Sequence, residues 1–304
     1  MPVAAEERSR DFRTVFRVGY LGPEGTFSEE ALLSSVAPDS VQPIPQGSIY
    51  DTVMALRKGE VEWAIVPIEN SLDGSISVTL DLLAEEAGAV QIVGETLLTV
   101  RHSLIAGQLV GLNEIDTVLS HPQVPGQCAR FLRGELAHAR VLPASSTAEA
   151  VREVVEDEQP GRAALGTKLA AAVYGGAVVR EGVQDRDDNE TRFVWLAQTK
   201  AGASTAPPLR AAGAGEHPWK TSLVFWGAGA ERPGWLVRCL NEFARREINL
   251  TKIESRPRRE RLGNYMFFVD LEGGLPGAQD VSDAVADMRE MCEEVRVLGS
   301  YPAA

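Results

Sequence analysis

The stretch VGYLGPEGTFSEEAL, residues 18–32, indicates the fold class because it reads as a strand, a turn and a helix in direct succession. Two glycines permit a tight turn after the apolar run. Thr26 and Glu29 then have the T-x-x-E spacing of a capping box, which opens a helix. A helix N-terminus of this kind can attract a carboxylate. The stretch predicts an α/β protein with a candidate binding turn at Thr26, although a plain tight turn has the same pattern.

Outward from this stretch, the same alternation continues to about residue 196. Apolar runs such as EWAIVPIE, AVQIVGETLLTV and RFVWLA alternate with helical stretches such as SIYDTVMALRKG and TAEAVREVVE. Strands alternating with helices at this spacing are typical of an α/β fold with a largely parallel sheet. Ligands of such sheets bind outside the carboxyl ends of the strands, so the strand-to-helix turns are the first places to search.

The two ends of the chain differ from this pattern. Residues 1–15 are predicted to be a flexible tail, and residues 199–218, rich in Ala, Gly and Pro, a linker. Residues 219–304 give the order βαββαβ, which predicts a ferredoxin-like sandwich.

Charge and cysteine usage argue against several classes of protein. The chain has 304 residues and a formal net charge of −13, which disfavours nucleic acid as a partner. Cys128, Cys239 and Cys292 form no CxxC pair, so neither a disulfide framework nor a zinc site is expected. A charged N-terminus without an apolar core predicts no signal peptide, and no apolar run approaches the ~20 residues that span a bilayer. We therefore expect a cytoplasmic protein with no membrane partner and no metal.

Polar side chains follow several of the predicted strands. Asn70 and Ser71 end a buried strand in VPIENSLDGS, residues 66–75. They are able to orient a polar ligand, and an Asx-type turn explains them equally well. Gln123 follows His121 at the start of a helix, where a structural hydrogen bond is the commoner role.

Two further turns complete the set. Thr147 opens a helix in SSTAEAV, where a simple helix cap is the alternative. Arg192 follows Thr191 in DDNETRF and offers a fixed cation for a carboxylate, or a salt bridge to a neighbouring acid. Together the turns offer hydroxyls, amides, helix N-termini and one arginine. We expect such groups to bind a small polyanion without a metal ion.

Taken in order, GYLGPEGTFSEEAL, VPIENSLDGS, SHPQ, STAEAV, ALGTKLAAAVYG and NETRF closely resemble the prephenate dehydratase family. The resemblance implies a two-lobed catalytic domain at residues 16–198, similar to periplasmic binding proteins. The first lobe would hold about 16–98 and 187–198, and the second about 99–186. The strand with Thr191 would thus return to the first lobe after the second lobe is complete.

The resemblance also implies roles for residues. Thr191, Arg192 and Phe193 match the catalytic motif of the family. Asn70 and Ser71 match its cleft-lining pair, and Thr147 matches the threonine on the second lobe. Thr26 and Gln123, taken from their turns, complete the expected substrate-binding set. The unit at 219–304 resembles an ACT regulatory domain. Its effector-binding positions are Gly234, Leu236, Asn249, Leu250, Glu254, Ser255, Arg256 and Pro257.

The sequence departs from the family pattern in two places. Pro125 and Gly126 replace helix-forming residues after the HPQ motif, so the first turn of that helix should change. Trp235 replaces a small residue in the PGAL pattern of the effector region. We expect its indole either to crowd an effector pocket or to form a contact between subunits.

The implied activity is the decarboxylating dehydration of prephenate to phenylpyruvate in L-phenylalanine biosynthesis. It would need no cofactor, would be inhibited by L-phenylalanine through the ACT domain, and would belong to a homodimer or homotetramer. Alternatives are arogenate dehydratase and a non-catalytic amino-acid sensor. The segment before Tyr20 is too short for a fused chorismate mutase domain.

Overall fold

The computed structural model describes residues 15–37, 39–157, 159–199, 207, 209, 218–227, 232–275 and 277–304. The predicted tail and linker lie almost entirely outside these residues. None of the described helices is long and apolar enough to cross a membrane.

Along the chain, the helices and strands of the first lobe come first, and those of the second lobe follow. The first contributes β1 (Phe16–Leu21), α1 (Phe27–Ser35), β2 (Val41–Gln46), α2 (Ile49–Lys58), β3 (Trp63–Asn70), β4 (Gly74–Ser75), α3 (Ser77–Glu86) and β5 (Val90–Thr99). The second contributes β6 (Ser103–Ala106), a 3-10 turn at Leu112–Glu114, β7 (Thr117–Ser120), α4 (Val124–Gln127), α5 (Ala129–Glu135), β8 (Arg140–Pro143), α6 (Thr147–Glu156), β9 (Arg162–Gly166), α7 (Lys168–Tyr174) and β10 (Ala177–Arg180).

The chain then returns to the first lobe as β11 (Glu190–Gln198), which lies between β3 and β5 and is antiparallel to both. By contrast, β1 pairs in parallel with β2 and β3. Because side chains alternate across a strand, Phe193 and Trp195 reach the core on the α1 side, and Val194 and Leu196 reach the core on the side of α2 and α3.

A separate five-stranded sheet forms the second lobe, in the order β10-β6-β9-β7-β8. Its strands β9, β7 and β8 pair in parallel, whereas β6 is antiparallel to both of its neighbours, β9 and β10. The segments that cross between the lobes follow β5 and precede β11. They place His102 and Asn189 at the junction of the two lobes.

The C-terminal unit has the predicted βαββαβ order, formed by β12 (Trp219–Trp226), α8 (Trp235–Ala244), β13 (Leu250–Pro257), β14 (Tyr265–Glu272), α9 (Gln279–Met291) and β15 (Glu294–Pro302). Its sheet joins the first-lobe sheet, because β15 pairs with β5 at Gly299 and Ile92. A Cβ at Gly299 would lie 2.2 Å from the carbonyl oxygen of Ile92, so this close approach requires glycine. The core on the α2 and α3 side also continues into this unit through Trp226, Phe268 and Tyr301.

The predicted helix after the HPQ motif is divided in two. The short helix α4 includes Pro125 and ends at Gln127. The next residue, Cys128, has a φ of −121° and a ψ of 23°, which are not helical, and α5 begins at Ala129. The altered first turn was expected from Pro125 and Gly126, but the break was not. It sets Gln127 at the end of its own short helix.

Trp235 packs inside the C-terminal unit. Its indole is buried between α8 and α9, where Nε1 donates a hydrogen bond to the carbonyl oxygen of Met291 across 3.1 Å. The ring also packs on Phe225 and Phe267. The larger side chain is accommodated because Gly227 leaves room; a Cβ there would lie 2.8 Å from the indole. Trp235 is therefore part of the core of the C-terminal unit.

Candidate functional site

Thr191 and Asn70 form a hydrogen-bonded pair where β11 lies beside the end of β3. Asn70 Nδ2 donates to Thr191 Oγ1 across 2.9 Å. Asn70 itself is held by an Asx turn, in which its Oδ1 accepts from the backbone N–H groups of Leu72 and Asp73. Because these donors fix the oxygen, the amide nitrogen must face Thr191. The 66–75 and 187–193 motifs thus meet in the fold.

Ser71 secures the same junction from the backbone. Its Oγ accepts a hydrogen bond from the N–H of Glu190 across 2.9 Å, and its own N–H donates to the carbonyl oxygen of Glu190. The hydroxyl of Ser71 therefore joins the β3 turn to the residue that precedes Thr191, and so it supports the position of the threonine.

A second layer of amides lies behind Asn70. Asn70 Nδ2 also donates to Asn189 Oδ1 across 2.8 Å, and Asn189 Nδ2 donates to Gln127 Oε1 across 3.0 Å. Gln127 Oε1 lies 3.0 Å from His102 Nε2, and Gln127 Nε2 donates to Asp73 across 3.2 Å. Sequence reasoning selected Gln123 and missed Gln127, although the two are separated by one helical turn.

Arg192 lies on the opposite face of β11 from Thr191. Its guanidinium is 2.7 Å from Asp270 Oδ2 and 3.3 Å from carboxylate oxygens of Glu69 and Glu95. Neither of its predicted roles agrees with this geometry, since it meets none of the acids that flank it in sequence and points away from Thr191. The physical reason is strand alternation, which sends neighbouring side chains to opposite faces.

The surroundings of Arg192 form a buried ionic cluster between the first lobe and the C-terminal unit. Lys220 Nζ lies 2.7 Å from Glu95, and Ser222 Oγ donates to Asp270 across 2.6 Å. Burial by itself would lower the pKa of Arg192, but the nearby carboxylates, Asp270 foremost, outweigh it, and that pKa is raised. Arg192 is therefore a fixed cation that joins two parts of the protein.

Three further predicted site residues, Phe193, Thr26 and Gln123, lie apart from Thr191. Phe193 is a core residue. The hydroxyl of Thr26 is used within its own turn, because it donates to the carbonyl oxygen of Leu21 and caps α1 by accepting from Glu29 N–H. Gln123 is exposed at the start of α4. No described contact links these three side chains to Thr191.

Thr147 occupies the first turn of α6 in the second lobe. Ser146 is the cap of that helix, since its Oγ accepts from the N–H of Glu149 across 3.0 Å. The hydroxyl of Thr147 makes no hydrogen bond to another group among the described residues. It is therefore available to a ligand, beside the unpaired backbone N–H groups that begin a helix.

The two lobes contact each other at the first turn. Thr167 Oγ1 donates to the carbonyl oxygen of Gly25 across 2.6 Å, and Tyr174 donates to that of Glu24 across 2.8 Å. Gly25 has a φ of +81°, and a Cβ there would lie 2.7 Å from the Cα of Ala170. Glycine at this position thus allows the lobes to meet.

The predicted effector residues divide between two faces of the C-terminal unit. On β13, Arg256 pairs with Asp81 on α3 across 2.9 Å, and Glu254 accepts from Ser75 at 3.4 Å. Ser255 alternates with them and lies on the α8 and α9 side of the sheet, opposite Phe267. The other members of the set are Gly234, which precedes α8 with a φ of +77°, Leu236 on α8, Asn249 and Leu250 before and at the start of β13, and Pro257 at its end.

The site can bind and polarise a small polar ligand through neutral groups. It offers an oriented hydroxyl at Thr191, amides behind it, and helix N-termini on both lobes. Within the part of the chain that the structure describes, no group of three or more His, Cys, Asp or Glu side chains is placed to hold a metal ion.

Comparisons with known proteins define the class to which this two-lobed site belongs. The profile of the prephenate dehydratase family matches residues 18–201. A prephenate dehydratase from Mycobacterium marinum is 39% identical over 295 residues, which cover 94% of this chain and 88% of that protein. The chain belongs to the prephenate dehydratase family, and it is an enzyme of that class, a lyase.

Solved structures agree with this assignment. The chain resembles a prephenate dehydratase from Arthrobacter aurescens in complex with L-Phe, with 33% identity, a TM-score of 0.82 and coverage of 94% of this chain and 89% of that one. It also resembles GqqA, described as a novel type of quorum quenching acylase, with 26% identity, a TM-score of 0.78 and coverage of 95% and 98%. The shared architecture is an α/β fold with two sheets.

Proposed function

We propose that this enzyme converts prephenate to phenylpyruvate, with Thr191 as the residue that assists loss of the ring hydroxyl. Aromatisation of the ring drives the reaction, so no cofactor is required. The catalytic part would comprise residues 16–198, with the lobes as described, and a cytoplasmic homodimer or homotetramer is part of the proposal.

The observation that carries this proposal is the hydrogen bonding of Thr191. Its oxygen accepts from Asn70, and its proton is donated to no acceptor among the described residues. A threonine hydroxyl is a very weak acid, so hydrogen-bond stabilisation of the departing oxygen is favoured over full proton transfer. A preorganised donor of this kind contributes about 10²–10³ to kcat.

The two carboxylates of prephenate require positive or dipolar partners in an acidic protein. Arg192 is committed to the ionic cluster on the other face of β11. We therefore assign the carboxylates to the N-terminal turns of α1 and α6, where N–H groups and the helix dipole favour anions. Thr147 adds a hydroxyl at the second of these turns.

We further propose that residues 219–304 are an ACT domain through which L-phenylalanine inhibits the enzyme. The βαββαβ order and the L-Phe complex of the Arthrobacter relative support this assignment. The contacts of Arg256 with Asp81 and Ser77, and of Glu254 with Ser75, give a direct route from β13 to the first lobe. An effector that moves β13 would therefore act on the turn that follows Asn70.

The test is the disappearance of prephenate and the appearance of phenylpyruvate, followed at alkaline pH with and without L-phenylalanine. Turnover that phenylalanine suppresses is expected. Turnover indifferent to phenylalanine would contradict the regulatory part alone. Absence of turnover would contradict the choice of prephenate, and arogenate would then be assayed, because that substrate differs only in an amino group that replaces the keto group.

Two other functions are less well supported. A non-catalytic sensor would not need the oriented hydroxyl of Thr191. Acyl transfer, suggested by the likeness to GqqA, requires a base beside the nucleophile, whereas the neighbour of Thr191 is the amide of Asn70, which donates and cannot accept a proton.

A further inference from the structure

In the hydrogen-bond network behind Thr191, the donor and the acceptor of each bond can be assigned. The assignment starts from the groups at the two ends of the network. At one end, Asp73 is a carboxylate and can only accept, so the nitrogen of the Gln127 amide must face it. The oxygen of Gln127 is then turned toward Asn189 and His102. His102 must therefore donate from Nε2, which fixes its tautomer.

The same logic fixes the remaining amides. Asn189 donates to Gln127 from its nitrogen, so its oxygen faces Asn70. The oxygen of Asn70 is held by two backbone N–H groups, and its nitrogen faces both Asn189 and Thr191. If any one of these amides were turned over, two donors or two acceptors would face each other. The network therefore leaves the Thr191 oxygen as an acceptor and its proton for another partner.

The members of this network come from both lobes. Gln127 ends α4 in the second lobe, and Asp73 and Asn70 belong to the first. Asn189 and His102 lie on the two segments that cross between the lobes, and both are buried. Gln127 therefore contacts the first lobe and both crossing segments in this arrangement of the lobes.

We infer that Gln127 and Asn189 are positioning residues, which hold the Thr191 hydroxyl through Asn70 with its proton directed at the substrate and make that orientation depend on lobe closure. The inference rests on the proposed role of Thr191. Gln127 contacts the reacting atoms only through its neighbours, so its loss should lower kcat and leave KM for prephenate nearly unchanged.

The test is a double-mutant cycle of Gln127→Met and Thr191→Val, with kcat and KM measured for prephenate on the full chain. Methionine keeps the length of the side chain and removes its hydrogen bonds. Misplacement of a catalytic group commonly lowers rates by up to about 100-fold, so Gln127→Met should lower kcat by about 10- to 100-fold. In the Thr191→Val background it should lower kcat by less than about threefold, because residues that act as a unit are not additive.

Two further variants separate positioning from general damage. Gln108→Met changes an exposed glutamine of the second lobe and should leave kcat and the thermal midpoint unchanged. Gln127→Glu keeps an oxygen that accepts from Asn189 and His102 but sets a second acceptor against the carboxylate of Asp73, so it should lower kcat as well. It also serves as the test variant if the methionine protein does not fold.

The outcomes distinguish the inference from the proposed function. An unchanged kcat for Gln127→Met, or a full multiplicative loss in the double variant, would overturn the inference while Thr191→Val still loses activity. An unchanged kcat for Thr191→Val would instead overturn the role of Thr191, and the inference with it.

Discussion

The guanidinium of Arg192 lies 2.7 Å from the carboxylate of Asp270, so the residue next to the catalytic candidate Thr191 is ion-paired with the C-terminal unit. The two neighbours on β11 therefore have separate tasks. Thr191 bonds to Asn70 on one face of the strand, and Arg192 ties the other face to Asp270 on β14. The position of the hydroxyl depends on a contact made by the other face of the same strand.

Arg192→Met should lower the free energy of unfolding by about 3–5 kcal/mol, because removal of one partner from a buried pair leaves charges uncompensated. Among the described residues, Lys220 would still pair with Glu95 and Lys252 with Glu69, but Asp270 would lose its ion pair. Chemical denaturation would measure the loss. A loss below about 1 kcal/mol is typical of exposed ion pairs, and it would contradict the prediction that this buried cluster stabilises the fold.

Arg192→Lys tests whether this residue binds substrate. Lysine keeps the charge but loses the bidentate geometry that a carboxylate clamp requires. Since the structure places Arg192 away from Thr191, KM for prephenate should remain within about threefold of the wild type. A larger rise in KM, with an unchanged thermal midpoint, would show that the guanidinium reaches the substrate.

Gly25→Ala should weaken the contact between the lobes. The residue needs a positive φ, and the added methyl would lie 2.7 Å from the Cα of Ala170, so α7 must move away from the first turn. We expect a lower kcat/KM for prephenate and a lower thermal midpoint. Gly134→Ala is the matched control, since a Cβ there meets nothing within 4 Å and alanine in a helix stabilises by about 0.5–1 kcal/mol.

His102 should make stability depend on pH. Burial lowers the pKa of this imidazole below its usual 6.5. The unfolded chain then binds the proton more readily than the folded one, so stability is fully present above about pH 6.5 and falls as the pH is lowered through the folded pKa. Denaturation at several pH values should show a smaller decrease in His102→Gln than in the wild type. Parallel pH profiles would contradict this assignment.

Asp81→Asn should reduce inhibition by L-phenylalanine and leave turnover without effector nearly unchanged. Asp81 on α3 is buried and pairs with Arg256 and Arg259 of the C-terminal unit. Glu85→Gln removes an equal charge from the exposed face of the same region and is the control. Equal inhibition of both variants and the wild type would exclude the β13 contact as the route of regulation.

Much of the fold follows from sequence pattern, and the exceptions have physical causes. The helices of the first lobe and the βαββαβ order were predictable from periodicity and turn residues. The strand β2 was not predicted, because Pro43 and Pro45 disfavour a strand. It is accommodated at the edge of the sheet, where a missing N–H costs little.

The candidate site was predictable in part. Asn70, Ser71 and Thr191 were selected from motifs, and the fold brings them together. The direction of Arg192 could not be inferred from the motif, because it depends on which face of β11 the C-terminal unit covers. Gln127 was missed because its partners are 25 to 62 residues away in sequence, and only the crossing segments between the lobes bring them near.

The pairing of β15 with β5 has a consequence for any shortened form of the chain. The C-terminal unit covers an edge of the first-lobe sheet and completes its apolar core. Without residues 219–304, β5 would present unpaired N–H and C=O groups beside exposed apolar side chains, which is a template for aggregation. A truncated protein that shows no activity would therefore report a loss of solubility rather than the loss of a regulator.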